Sequence, residues 1–360
     1  MIQWLYGRKV LLLCCFISIV SAAAAAWLTH DTWLGWYYVR GLRHSSDADR
    51  DLWVRRVTSL GDAAVPQLVA QLKQDDPAAC ANAQLALRAF CDQGRRTFIY
   101  DELSRTFDRL SLTGQQSVFK LYTSELPSED GQSKECIELM LHPLQSGAQS
   151  ACKDVRGEAY QLLMMLVRRD AGALHYSIYR ELVRRGLNED DPLLRARAVC
   201  AAAIPEIGLQ DHVVPLLHDS APEVRRAALL ALGSATMVIR DDDLLPWLND
   251  GDAEVRRLCE LALESRGIPR EGIRLARLTT HPDVEMRQQA IRELLFQSER
   301  DPTEWFRRLS HDPSPSVQIA AIRAASRAHI DLRDRIEEMV QSDQSLTVRQ
   351  LAAYYLAQRD

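Results

Sequence analysis

The chain has 360 residues, 47% of them hydrophobic and 26% charged, with a formal net charge of −5. That is ample apolar material for a large folded core, and the acidic balance argues against a nucleic-acid partner. Eight cysteines without a single C-x-x-C pair leave zinc and dithiol redox motifs without support.

The first nine residues form a short basic flank that ends in Arg8 and Lys9. From Val10 to Leu28 there is no charge, and as a helix this stretch spans about 28 Å, close to the hydrocarbon thickness of a bilayer. Residues 10–29 therefore read as a transmembrane or signal-anchor helix. An aromatic juxtamembrane segment follows at 30–46, where Trp33, Trp36, Tyr37 and Tyr38 crowd together like an interfacial belt. The competing reading is a cleaved signal peptide, with small residues offering a site near Ala24. Both readings put the remainder of the chain outside the cytoplasm, whereas Arg40, Arg43 and Arg50 on the far side favour a cytoplasm-facing chain.

Residues 47–188 carry helical periodicity with irregular spacing. Leu60 to Leu72 reads as a first helix, and the stretch from Asp75 aligns with that from Asp219 when Pro77 is laid on Pro222. This alignment places Ala79, Ala83 and Leu87 in buried columns. Val118 and Val155 serve as further anchors, and Pro127 to Glu135 reads as an extended loop.

From 189 to 360 the pattern becomes regular. Leu194, Val224, Val255, Met286, Val317 and Val348 recur at steps of 30 and then 31 residues. Around each anchor, apolar or small residues fall at +0, +4, +5 and +8, the stripe of a helix. Pro192, Pro222, Pro282 and Pro315 mark the start of these second helices, where a missing N–H costs nothing. A shorter apolar run precedes each, such as Val213 to Leu217, Leu244 to Leu248 and Trp305 to Leu309, so every unit is a helical hairpin joined by a polar turn. One hairpin cannot bury its own apolar face, and stacking on its neighbours does so.

The turn aspartate five before the anchor (Asp219, Asp250, Asp312, Asp343), the arginine after it and the small residue at +4 together resemble the HEAT repeat, especially the short bacterial kind found in phycobilin lyases. The resemblance implies an all-α fold, a right-handed α-solenoid of HEAT-like hairpins preceded by the N-terminal membrane helix. It also implies a structural ladder through Asp219, Arg225, Asp250, Arg256, Asp343 and Arg349, broken where His281 and Gln318 stand in place of Asp and Arg. In such arrays the second helices line the concave side.

Nothing catalytic stands out. Nine histidines are scattered, and no phosphate loop or nucleophile elbow is present. No metal or other cofactor is expected. Cys136 and Cys152 make the one plausible local bridge in an oxidising compartment, against the alternative of free thiols. Lysine is scarce and ends at Lys153, so arginine supplies the cationic surface. Arg226, Arg257, Gln288 and Gln350 occupy the +2 column and Arg292, Arg323 and Tyr354 the +6 column, a face suited to carboxylates or phosphates on a partner. The alternative is a solvated helix face with its own i, i+4 pairs. The sequence thus predicts a membrane-tethered, non-catalytic scaffold that binds a protein, with no nucleic acid. A bilin-lyase-like enzyme and a purely structural envelope protein are the alternatives.

Overall fold

The computed structural model describes residues 33–127, 133–169, 175–296 and 301–358. The apolar run from Val10 to Leu28 lies outside them, and so does most of the expected loop between Pro127 and Glu135. Among the described residues there is no strand, and no helix is long and apolar enough to cross a membrane. Contacts divide the chain into two units, Met1–Ile207 and Gly208–Asp360.

In the first unit, helices pack in two layers. Val65–Leu72, Arg96–Thr106, Lys134–Ala148 and Tyr176–Gly186 are the first helices of successive hairpins, and Pro77–Phe90, Leu112–Glu125, Lys153–Arg169 and Pro192–Ala202 are the second. Each second helix packs on the next second helix, which is why Ala79, Ala83, Leu87, Val118 and Val155 are all buried. The second helices start more than 31 residues apart, at Pro77, Leu112, Lys153 and Pro192, and the core between them is aromatic. Tyr100, Phe107, Phe119, Tyr122, Tyr160 and Tyr179 are fully buried, with Phe107 edge-on to Phe119 at 5.3 Å. Gly114 lets Leu112–Glu125 lie against the end of Val65–Leu72, since a Cβ there would stand 2.0 Å from the Leu72 carbonyl oxygen. Gly94, at φ +81°, turns the chain between Pro77–Phe90 and Arg96–Thr106, a conformation available to glycine without steric cost.

The aromatic segment is helical over 33–43 and is fastened to this unit at its C-terminal end. Side chains from this unit meet two carbonyls near its end: Gln71 Nε2 donates to Val39 and Asn82 Nδ2 to Leu42. Cys136 is buried, Cys152 half-buried, and both are free thiols, so the considered bridge is not formed.

In the second unit, the second helices are Pro222–Leu232, Ala253–Ser265, Val284–Phe296, Pro315–Arg327 and Leu346–Ala357. The +4 residues Ala228, Cys259, Ala290, Ala321 and Ala352 are all fully buried. Cys259 behaves there as a small apolar residue whose thiol donates to the Leu244 carbonyl. Two first helices are short α turns that tighten into 3₁₀ turns, Gln210–Val213 into Val214–His218 and Asp241–Leu244 into Leu245–Asn249. Pro215 and Pro246 sit where the change occurs, because a proline supplies no N–H to continue the α ladder. Pro192, Pro222 and Pro315 each open their helix. Pro282 does not: the helix begins at Val284, with Asp283 accepting from the Glu285 N–H.

Candidate functional site

The turns between first and second helices share one hydrogen-bonding pattern. The Asp five before the anchor accepts, through Oδ1, the N–H two residues on: Asp219 from Ala221, Asp250 from Asp252, Asp312 from Ser314 and Asp343 from Ser345, all at 2.8–2.9 Å. At the divergent repeat His281 takes over this task, its Nδ1 accepting from the Asp283 N–H at 3.0 Å. The Arg after the anchor folds back to the same turn. Its Nη1 donates to the carbonyls six and five residues earlier, as in Arg225 to Asp219 and Ser220, Arg256 to Asp250 and Gly251, and Arg287 to His281 and Pro282. Arg349 does likewise with Asp343 and Gln344, and so do Arg156 and Arg195 in the first unit.

The other edge of the guanidinium reaches forward. Arg225 donates from Nε and Nη2 to both oxygens of Asp250, at 2.9 and 2.7 Å, and Arg287 grips Asp312 in the same way. Arg156 meets Glu189 at 3.2 Å. The two bidentate pairs, Arg225 with Asp250 and Arg287 with Asp312, join successive repeats and are largely removed from water. The sequence ladder omitted Arg287 and Asp312 because their neighbouring turn and anchor positions, His281 and Gln318, broke the pattern. Each rung needs only one Arg and the next Asp, so a break removes one contact and leaves the following rung intact. The ladder has two gaps. Arg256 meets His281 where an Asp would stand, and Asp343 is preceded by Gln318, whose buried Oε1 has no partner.

The +2 and +6 columns of the second helices are heterogeneous. Arg226 is held by Asp252, which accepts from its Nε at 2.9 Å and its Nη2 at 2.5 Å while also capping Ala253–Ser265. Arg226 shifts the Asp252 carboxyl well below the usual carboxylate range, with help from the Val255 N–H. Arg257 is bound in the same manner by Glu254, one turn earlier on its own helix. These two guanidinium groups, read from the sequence as open to a partner, are engaged by carboxylates of their own chain. The i, i+3 neighbour Glu254 was legible, but Asp252 is brought to Arg226 only by the stacking of hairpins.

Gln288 is half-buried and reaches Ser316. Arg292 and Arg323 are exposed and make no ion pair or hydrogen bond with the described residues. Gln350 is exposed, and Tyr354, 56% exposed, accepts a hydrogen bond from Gln358. Sequence reasoning missed the apolar members of this face. Leu230 and Leu261 stand in the +6 column and are exposed by 66% and 45%, the signal being a leucine six past the anchor, between the buried +4 and +8 positions. Among the described residues no group of three or more His, Cys, Asp and Glu is placed to hold a metal ion.

A stack of two-helix units with small residues at the seam and a side-chain ladder along the turns defines an α-solenoid repeat protein. Residues 209–236 match the family model of the HEAT repeat and residues 273–357 that of HEAT repeats, so the chain contains HEAT repeats in its C-terminal half. No curated protein sequence matches it. Among solved structures it is similar to an engineered protein at 20% identity, covering 89% of this chain and 97% of that one with a TM-score of 0.45. A designed armadillo repeat protein aligns at 19% identity over 56% of this chain and 99% of its own, with a TM-score of 0.41. A chain of the Kap95:Nup1 complex aligns at 13% identity over 94% of this chain and 48% of its own, with a TM-score of 0.49.

Proposed function

We propose that this protein is a non-catalytic scaffold that captures a protein partner on the +6 face of its C-terminal repeats while its N-terminal segment holds it at a membrane. The observation that carries the binding reading is the juxtaposition, along one register column, of the exposed leucines Leu230 and Leu261 with Arg292 and Arg323, unpaired among the described residues, and the exposed ring of Tyr354. Apolar side chains left in water beside desolvatable guanidinium groups are what protein interfaces use as anchors. Arg226 and Arg257 contribute less than their columns suggest, because binding a partner's acid would first require breaking their internal pairs.

The membrane reading rests on the uncharged run from Val10 to Leu28 and on the aromatic helix C-terminal to it. The helix at 33–43 exposes Trp33 by 71% and Trp36 by 53%, with Arg40 stacked on the Trp36 ring at 5.2 Å. Amphipathic aromatic rings beside arginine suit the headgroup layer. Crosslinking in native membranes, detergent extraction and identification of the bound protein tests both halves. Full-length protein is expected in the membrane fraction with a defined partner. Changing Leu261, Arg292 and Arg323 together to Glu is expected to lose that partner without lowering the melting temperature. Partner capture retained by this variant would remove the face from consideration, and full-length protein in the soluble fraction would end the tether reading.

A further inference from the structure

The ladder leaves one guanidinium fork open at a place where a pocket exists. Arg225, Arg256 and Arg287 are positioned alike by the two carbonyl bonds from Nη1, so their Nε and Nη2 edges all address the turn position of the following repeat. For Arg225 and Arg287 that position is a carboxylate. For Arg256 it is His281, and Arg256 has no ion pair among the described residues. A pocket of about 380 Å³ opens here, lined by Arg256, Arg277, His281, Asn249, Asp250 and Met286.

The groups around the fork leave it available to an anion. The Asp250 carboxylate is taken by Arg225 and the Asp252 N–H, and its carbonyl by Arg256 Nη1. Arg277 adds a second guanidinium, itself paired with Glu260. The His281 ring accepts the Asp283 N–H at Nδ1, so in the neutral ring the proton sits on Nε2 and gives a further donor. A planar fork selects a carboxylate, which both flanking rungs already demonstrate in this chain.

We propose that Arg256 takes an aspartate or glutamate side chain of the protein partner into this pocket, supplying from outside the rung that the chain lacks at His281. The source of the carboxylate rests on the protein-binding reading above; the site itself rests on the ladder.

The test is thermal unfolding of the full-length protein in detergent with a blocked Gly-Asp-Gly peptide, the matching Gly-Asn-Gly peptide and inorganic phosphate, all at matched ionic strength. Wild type, Arg256→Gln and His281→Asp are compared. At ten times its dissociation constant the aspartate peptide is expected to raise the wild-type midpoint by about 2 °C, rising with the logarithm of its concentration, and to leave both variants unmoved. His281→Asp is expected to melt above wild type without any peptide, because the rung is then closed internally and its Asp also accepts the Asp283 N–H. The proposal is overturned by no shift, by equal shifts in wild type and Arg256→Gln, by an equal response to the asparagine peptide, or by a response to phosphate alone. Loss of the pocket would leave capture on the Leu261, Arg292 and Arg323 face standing, so the two readings fail separately.

Discussion

Arg287 and Asp312 lie 25 residues apart in sequence and meet through two parallel hydrogen bonds of 2.7 and 3.0 Å, with side chains only 10% and 4% exposed. The Asp also caps its own turn through the Ser314 N–H, so one carboxylate ties a repeat to itself and to its predecessor. Asp312→Ala is expected to destabilise the protein by about 3 kcal/mol, because it strands a buried guanidinium. Chemical denaturation of both proteins measures this, and a midpoint within error of wild type would show that the rung contributes nothing.

The second gap in the ladder can be closed from the cation side. Gln318→Arg places a guanidinium where the turn carbonyls and Asp343 are arranged as in the intact repeats, and it removes a buried amide oxygen without a partner. Stabilisation of about 1 kcal/mol is expected. Loss of stability on the same denaturation assay would mean that this turn differs from its neighbours.

The alanine seam is the least tolerant part of the stack. Ala228 is fully buried between Pro222–Leu232 and its neighbours, and Ala228→Glu is expected to cost roughly 4 kcal/mol or more by overpacking and by burying a charge. An unchanged melting temperature would refute the assigned register.

Acid sensitivity should centre on Asp252. Its carboxyl is lowered in the folded state first by Arg226 and then by the Val255 N–H. A lowered folded-state value means that its contribution is complete above the unfolded value, near pH 4, and is lost as pH falls toward the folded value. Asp252→Asn should therefore flatten the acid limb of the stability curve below pH 4 while changing its shape little above pH 6. An acid limb identical to wild type would refute the pairing with Arg226.

Thiol chemistry reports the core directly. Burial pushes the thiols of Cys91 and Cys259 up to about 12, so their neutral form is favoured on folding. That contribution is present below the ordinary thiol value of about 8.5 and fades as pH rises toward 12. At pH 8 an alkylating reagent should modify half-buried Cys152 and Cys200 before Cys80, Cys91, Cys136 and Cys259. Mass spectrometry gives the order, and early labelling of Cys259 would contradict its place at the seam.

Periodicity was a strong guide wherever the physical cause was local or repeated. The anchors, the +4 alanines and the opening prolines all follow from helix geometry and from a seam that admits only small side chains. Pro282 misled because an N1 proline and a turn proline two residues earlier look alike in sequence, and only the Asp283 cap separates them. Arg266 carried no signal. It is nearly fully buried and donates to the carbonyls of Leu232, Gly233 and Ile239, closing a helix that ended 34 residues earlier. The binding face was legible as a column but not in its availability.

The sequence by itself determined the repeating helical hairpin, its buried stripe and the identity of each turn residue, because an apolar stripe of helical period can be satisfied only by stacking like units. Tertiary structure alone decided which charges remain free. Arg226 in the +2 column and Arg323 in the +6 column both read as partner-facing arginines, yet stacking brings Asp252 within 2.5 Å of the first and no carboxylate among the described residues to the second. Pairing of that kind depends on distances between neighbouring repeats, which no single repeat encodes.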